Sequence, residues 1–152
     1  MKLPQPHQIR VAQLADAEEI ARLNVDLGYS ASVEEIKSRL AVLLSSANHF
    51  VAVIPGKDSK LLGWAVVERR VMIESGIKAE ITGLVVDASA RRAGVGKGLV
   101  LAVEQWAAKQ GLPEICVRSN IIRVESHPFY QRLGYVRKKT QHVYEKPLSS
   151  LR

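Results

Sequence analysis

Apolar residues recur along this chain with two periods, and the changes of period mark its elements. Ile9 to Gln13 alternates as a short strand. Asp16 offers a helix N-cap, after which Ile20, Leu23 and Leu27 fall on one helical face until Gly28-Tyr29 stops the run. Ser32 with Glu35 three residues on forms a capping box, in which each side chain bonds the other residue's backbone N–H. It opens a second helix with Val33, Ile36, Leu40, Leu43 and Leu44 as its apolar face. Phe50 to Ile54 and Leu61 to Val71 read as a hairpin around the turn Pro55-Gly56-Lys57-Asp58. Ile77 to Val86 is the next strand, entered through Glu74-Ser75-Gly76. A helix over Leu99 to Gln110 closed by Gly111, a short strand over Ile115 to Arg118, and a helix over Arg123 to Leu133 ended by Gly134 follow. Pro128 predicts an irregular start or a kink in that last helix. Tyr135 to Arg137 and Gln141 to Lys146 read as a closing hairpin. The order β-α-α-β-β-β-α-β-α-β-β predicts one domain over residues 1–152, a mixed sheet flanked by helices.

Between the third long strand and the next helix lies Arg91-Arg92-Ala93-Gly94-Val95-Gly96-Lys97-Gly98. Glycine lets backbone press against an anion, and the first N–H groups of a helix lack intrahelical partners. Those groups also sit at the positive end of the helix dipole. With the charges of Arg91, Arg92 and Lys97, the run is a candidate pyrophosphate cradle. It is not a Walker A loop, because Gly98 rather than Ser or Thr follows Lys97. Nor is it a dinucleotide fingerprint, since the third glycine falls one residue early.

Arg91-x-x-Gly94-x-Gly96 resembles the Q/R-x-x-G-x-G/A signature of the GCN5-related N-acetyltransferase (GNAT) superfamily, in which the loop holds the pyrophosphate of acetyl-coenzyme A. The strand Ala79 to Val86, the helix after the loop, Arg118-Ser119-Asn120, and His127-Pro128-Phe129-Tyr130-Gln131-Arg132-Leu133-Gly134-Tyr135 fit the family's order, so the resemblance runs from about Ile9 to Leu148. It implies an α/β fold of the α+β type, with about six to seven mostly antiparallel strands flanked by four helices. It also implies an acetyl-CoA-dependent N-acetyltransferase of the small bacterial type, with acetyl-CoA as cosubstrate and no metal.

Acetyl transfer to an amine needs the thioester held, its carbonyl polarised, the amine deprotonated and the leaving thiolate protonated. For holding, the candidates are Arg91, Arg92, Ala93, Gly94, Val95, Gly96 and Lys97. The resemblance adds the backbone around Val85, Val86 and Asp87, together with Asn120, for the pantetheine arm, and Leu84 as a further contact to the cosubstrate. Arg123 could contact the coenzyme or cap a helix, and Phe129 packs internally or against the coenzyme. For polarisation, Gly83 inside a strand pattern suggests a bulge or a close approach. In the family the bulge frees an N–H, near Leu84, for the thioester oxygen. A lysine-like amine has a pKa of about 10.4 and needs a base. Glu80 matches the catalytic glutamate of the family's histone-acetyltransferase branch, sixteen residues before Gly96. It would act directly, through a water, or only as a charge that attracts a cation. His127 is the second candidate base. Tyr130 matches the tyrosine that protonates the thiolate. Tyr29 and Trp64 are candidates for the acceptor pocket or for the core.

Composition narrows the partners. The chain has 22 Lys and Arg against 15 Asp and Glu, a net charge of +7, which a phosphorylated coenzyme can use. Nucleic acid is disfavoured, because the basic residues are scattered and aromatics make up only 5%. No apolar run is long enough to cross a membrane, and Met1 to Arg10 is polar rather than a signal peptide. Cys116, the single cysteine, suits a reducing, cytoplasmic setting and reads as a structural residue. Without a His or Asp beside it, direct attack of the amine is expected rather than an acyl-enzyme. The acceptor stays open: a small-molecule amine, aminoglycoside-like included, is favoured over a protein, although no acidic pocket for a polycation is evident. The alternative is a catalytically silent acetyl-CoA-binding regulatory module. A homodimer is compatible with the family.

Overall fold

The computed structural model describes residues 8–91, 93–121 and 123–151; Arg92 and the polar start at residues 1–7 lie outside them. The chain divides into two compact units, Met1–Arg118 and Ser119–Arg152.

The first unit is built on one sheet of five strands in the order β1-β2-β3-β4-β5: Arg10–Val11, His49–Pro55, Leu61–Met72, Gly76–Val86 and Ile115–Val117. The first three pairings are antiparallel, and β4 with β5 is parallel. Three helices cover it: α1 Ala17–Asn24, α2 Val33–Leu44 and α3 Val95–Lys109. Side chains alternate across a strand, so β2 serves two cores at once. Val51 and Val53 join Ile20, Leu23, Ile36, Leu40, Trp64 and Val85 in one cluster. Ile54 points the other way, towards Gly98 of α3. Residues 51–54 are all buried at 2% exposure or less, which is why this strand reads as a continuous apolar run.

Most predicted elements stand where the periodicity put them. The capping box is formed, with Glu35 N–H donating to Ser32 Oγ at 3.1 Å and Ser32 N–H to Glu35 Oε1 at 3.0 Å. Asp16 does not cap α1 by its side chain. Its carboxylate accepts instead from Gln13 N–H at 2.8 Å and from both terminal nitrogens of Arg10.

Three elements differ, the last helix among them, which runs over Ser126–Arg132 rather than Arg123 to Leu133. Helix α3 begins at Val95 rather than Leu99, so Gly96 and Gly98 are helical. Buried Val95 and Leu99, packed close to Gly63 on β3, outweigh the poor helix propensity of two glycines. The second unit holds α4, Ser126–Arg132, but residues 135–147 form no strand ladder, so the predicted closing hairpin is absent among the described residues. Alternation selects a strand where one face is covered, and Val136, Val143 and Tyr144 are 76%, 81% and 90% exposed. A two-stranded hairpin on its own is marginal in water. Among the described residues the strand count is therefore five, within the expected mixed fold with four helices. Pro128 is the third residue of α4, in the first turn, where its missing N–H costs no helical bond.

Candidate active site

Helix α3 starts on a left-handed residue: Gly94 is its N-cap at φ +81°. An L side chain strains there, and glycine does not. The first i→i−4 bond of the helix runs from Gly98 N–H to Gly94 O at 2.9 Å. The N–H groups of Val95, Gly96 and Lys97 therefore precede the ladder, at the positive end of a helix of fifteen residues. Lys97 is exposed beside them, while Val95 anchors the turn at 1% exposure. Arg91 is exposed and lies 3.8 Å from Asp26. This end of α3 fits an anionic diphosphate in charge and in donor direction.

Strand β4 leads to that turn and carries two irregularities. Val66 pairs with Gly83 but Val67 pairs with Ile81, so Thr82 is the extra residue of a β-bulge. The bulge expected at Gly83 is thus one residue earlier. A Cβ on Gly83 would lie 2.6 Å from Trp64 Cζ3, so glycine is also needed to seat the indole. The second irregularity is on the other edge. Strand β5 pairs with β4 only from Ala79 to Ile81. From Thr82 to Val86, the segment with Leu84, Val85 and Val86, the edge towards β5 has no ladder partner among the described residues. Unpaired strand backbone bonds an extended amide ligand as it would another strand. The pantetheine arm of coenzyme A, with two amides, fits such an edge.

Glu80 is 7% exposed and stands in a row of directly opposed residues across four strands: His49, Glu68, Glu80 and Cys116. Arg70 Nη1 donates to Glu80 Oε1 at 2.6 Å, and Arg118 Nη2 lies 3.7 Å from the same oxygen. The Cys116 thiol donates to it at 3.5 Å. Arg70 also reaches Glu68 at 3.7 Å, and His49 Nε2 lies 3.3 Å from the other Glu68 oxygen. Burial, with the Glu80 carboxylate beside it, pushes the Cys116 thiol above its ordinary range. A thiol so held is a poor nucleophile. Arg70, Glu68 and His49 are functional candidates that sequence reasoning missed. The signal was the i, i+2 spacing of Glu68 and Arg70, but the partner register needed to read it is shifted by the bulge.

Asn120, Arg123, His127, Phe129 and Tyr130 belong to the second unit. Asn120 is exposed, and its carbonyl accepts from Arg123 N–H at 3.0 Å. His127 Nε2 is 3.2 Å from Ile121 O. Tyr130 packs edge-on to Phe129 and Tyr135, with ring centroids at 5.0 and 5.8 Å. Burial raises the Tyr130 phenol above its ordinary pKa, opposed in part by Arg123, so it stays protonated across the neutral range. In the first unit, Tyr29 is 67% exposed and Trp64 is 8% exposed. Among the described residues no group of three His, Cys, Asp or Glu is arranged to hold a metal ion, and no helix is long and apolar enough to cross a membrane.

The family model of the acetyltransferase (GNAT) family matches residues 16–135, most of the chain and every candidate site residue above. The chain belongs to that family. This acetyltransferase is 29% identical over 148 residues to aminoglycoside N(6')-acetyltransferase type 1 of Klebsiella aerogenes, covering 92% of this chain and 96% of the relative. Its fold is shared with an aminoglycoside 6'-N-acetyltransferase of Acinetobacter baumannii, at TM-score 0.80 and 19% identity over 91% of this chain and 97% of the other. Glucosamine-6-phosphate N-acetyltransferase of Arabidopsis thaliana is as near in shape, at TM-score 0.79 and 23% identity over 90% and 96%. Both matched structures are N-acetyltransferases, named for very different acceptors. Family membership makes this chain an N-acetyltransferase, and the fold does not choose between those acceptors.

Proposed function

We propose that the whole chain works as one domain that moves the acetyl group of acetyl-CoA to the primary amine of a small molecule by direct attack. The observation that carries this reading is the pairing of two features on one strand-turn-helix. Among the described residues the β4 edge has no ladder partner beyond Ile81, and the N-terminus of α3 follows it with Gly94 left-handed. The first suits the pantetheine arm and the second the pyrophosphate, with Arg91, Ala93, Gly96 and Lys97 around it. Arg92, outside the described residues, belongs to the same proposal.

Acetyl-CoA supplies the acetyl group as a thioester. Leu84 N–H, just past the bulge, donates to the thioester oxygen and stabilises the charge that develops there. Glu80 takes a proton from the ammonium group, at its oxygen opposite the one bonded to Arg70, directly or through a water; His127 is the second candidate for this role. As the amine nitrogen bonds the carbonyl carbon and the carbon–sulfur bond breaks, Tyr130 gives its phenolic proton to the sulfur. Asn120, Arg123 and Phe129 contact the coenzyme. The raised thiol of Cys116 argues against an acyl-enzyme, and a single free cysteine suits the cytoplasm.

A small-molecule amine is supported by the relatives' named substrates, and an aminoglycoside is the first acceptor to try. One observation favours a second reading. Glu80 Oε1 is held by Arg70 at 2.6 Å, which suits a structural carboxylate in a silent coenzyme-binding module. Thiol release from acetyl-CoA is the test, against aminoglycosides, polyamines, amino sugars, amino acids and peptides. Turnover of one class, lost in Glu80→Gln with coenzyme binding intact, supports the transferase and its base. Acetyl-CoA binding with no turnover of any amine favours the silent module.

A further inference from the structure

The face of the sheet that carries the apolar cluster ends on a polar row. On β2, His49 shares that face with Val51 and Val53, and on β3 Glu68 and Arg70 share it with Trp64 and Val66. Glu68 and Glu80 are directly opposed across β3 and β4. Side chains so placed start about 5 Å apart, and like charges there destabilise the ladder. Arg70 removes the conflict. Its Nη1 donates to Glu80 Oε1 at 2.6 Å, and its Nε lies 3.7 Å from Glu68 Oε1. Glu68 is held in turn from the next strand. His49 Nε2 lies 3.3 Å from its Oε2, and His49 Nδ1 is 2.8 Å from Ser46 Oγ.

The two oxygens of Glu80 are not equivalent. Arg70, Cys116 and Arg118 all meet Oε1, at 2.6, 3.5 and 3.7 Å. No hydrogen bond of the described residues reaches Oε2. Among those residues Trp64 Nε1 is the one buried side-chain polar atom left without a partner, so Glu80 Oε2 retains surface that solvent or a ligand can touch. The carboxylate is therefore fixed by one oxygen and presents the other. A guanidinium suits this task, because its planar fork reaches two carboxylates with separate nitrogens in a fixed geometry.

We infer that Arg70 is a positioning residue for acetyl transfer: by tying Glu80 Oε1 to Glu68, it aims Oε2 at the ammonium group of the acceptor. The inference rests on the reading of Glu80 as the base. Arg70 touches neither the amine nor acetyl-CoA and acts through Glu80 alone.

The test uses the full chain at saturating acetyl-CoA, with kanamycin, spermidine, glucosamine 6-phosphate and a lysine peptide as probe amines. Arg70→Gln should lower kcat at least about tenfold, because a misaimed base costs rate, while KM for the amine and the acetyl-CoA dissociation constant stay within about twofold. Arg70→Lys, whose single nitrogen cannot hold two carboxylates by separate atoms, should lose at least about threefold. In the Glu80→Gln background, either Arg70 substitution should change kcat by less than about twofold. Unchanged kcat in either Arg70 variant, or an equal loss with and without Glu80, would overturn the inference and leave Glu80 as the base. Native kcat in Glu80→Gln, or no turnover of any probe, would remove the base reading and this inference with it. If Arg70→Gln fails to fold, Arg70→Lys with and without Glu80→Gln decides the matter.

Discussion

At the scale of single residues, position in the ladder decides what a side chain can do. Tyr130 and Cys116 both carry acidic protons, and burial moves both pKa values up. For Tyr130 the shift keeps the phenol protonated near neutrality, and as the proposed acid its loss in Tyr130→Phe should lower kcat at least about tenfold. The dissociation constant of acetyl-CoA should stay within about twofold, as measured by equilibrium titration beside steady-state kinetics. Equal kcat in the two proteins would remove Tyr130 from the proton transfer. For Cys116 the same shift means a small thiolate fraction near neutrality. Cys116→Ala should keep most activity, and alkylation by iodoacetamide should remain slow until the pH exceeds the usual thiol range. Fast alkylation at pH 7, or loss of turnover in a folded variant, would contradict the direct-attack mechanism. Glu80 was legible as an odd charge in an apolar strand. Its attachment to Arg70 was not, because opposing residues depend on a register that the sequence does not print.

At the scale of elements, the start of α3 and the start of α2 make a matched comparison. Both ends depend on one small residue, Gly94 for its positive φ and Ser32 for its cap bond. Gly94→Ala should cost roughly 1 kcal/mol of stability through left-handed strain, and Ser32→Ala about 1 kcal/mol through a lost cap. Only Gly94→Ala should also weaken acetyl-CoA binding, by roughly tenfold or more, since only that helix end is proposed to face the diphosphate. Thermal melts with coenzyme titrations on both variants check this, and equal binding in the two would detach the phosphate role from α3. The bulge is the other element-scale device. Thr82 is one residue too many for the ladder, and it moves Gly83 and Leu84 out of the alternation that runs from Ala79 to Ile81.

At the scale of the whole molecule, the carboxylates set the acid limit. Arg10 holds Asp16 below its ordinary pKa, Arg22 does the same for Glu19, and the Ser89 hydroxyl with Arg22 lowers Asp87. A depressed folded-state value adds stability that is complete above the unfolded value, about pH 4, and is lost as pH falls through the lower folded value. The melting temperature should therefore fall steadily below about pH 4. Arg10→Met should flatten that fall by roughly 1 kcal/mol, no more, because Arg10 is partly exposed and screened. A pH series of thermal melts on both proteins reads it out, and identical slopes would mean that the Arg10–Asp16 pair contributes nothing. The sequence by itself determined the order and type of nearly every element in the first unit, the helix ends at Gly28 and Gly134, and the glycine turn at Gly94 before α3, because those rest on periodicity, capping and backbone freedom within a few neighbouring residues. Only the tertiary structure decided the extra turn that lets α3 begin at Val95, the absence of a ladder after Gly134 among the described residues, and the Arg70–Glu80–Cys116 grouping. Each of these depends on what lies across from a residue in space, through burial, strand register or packing against a distant helix, and no local pattern encodes that.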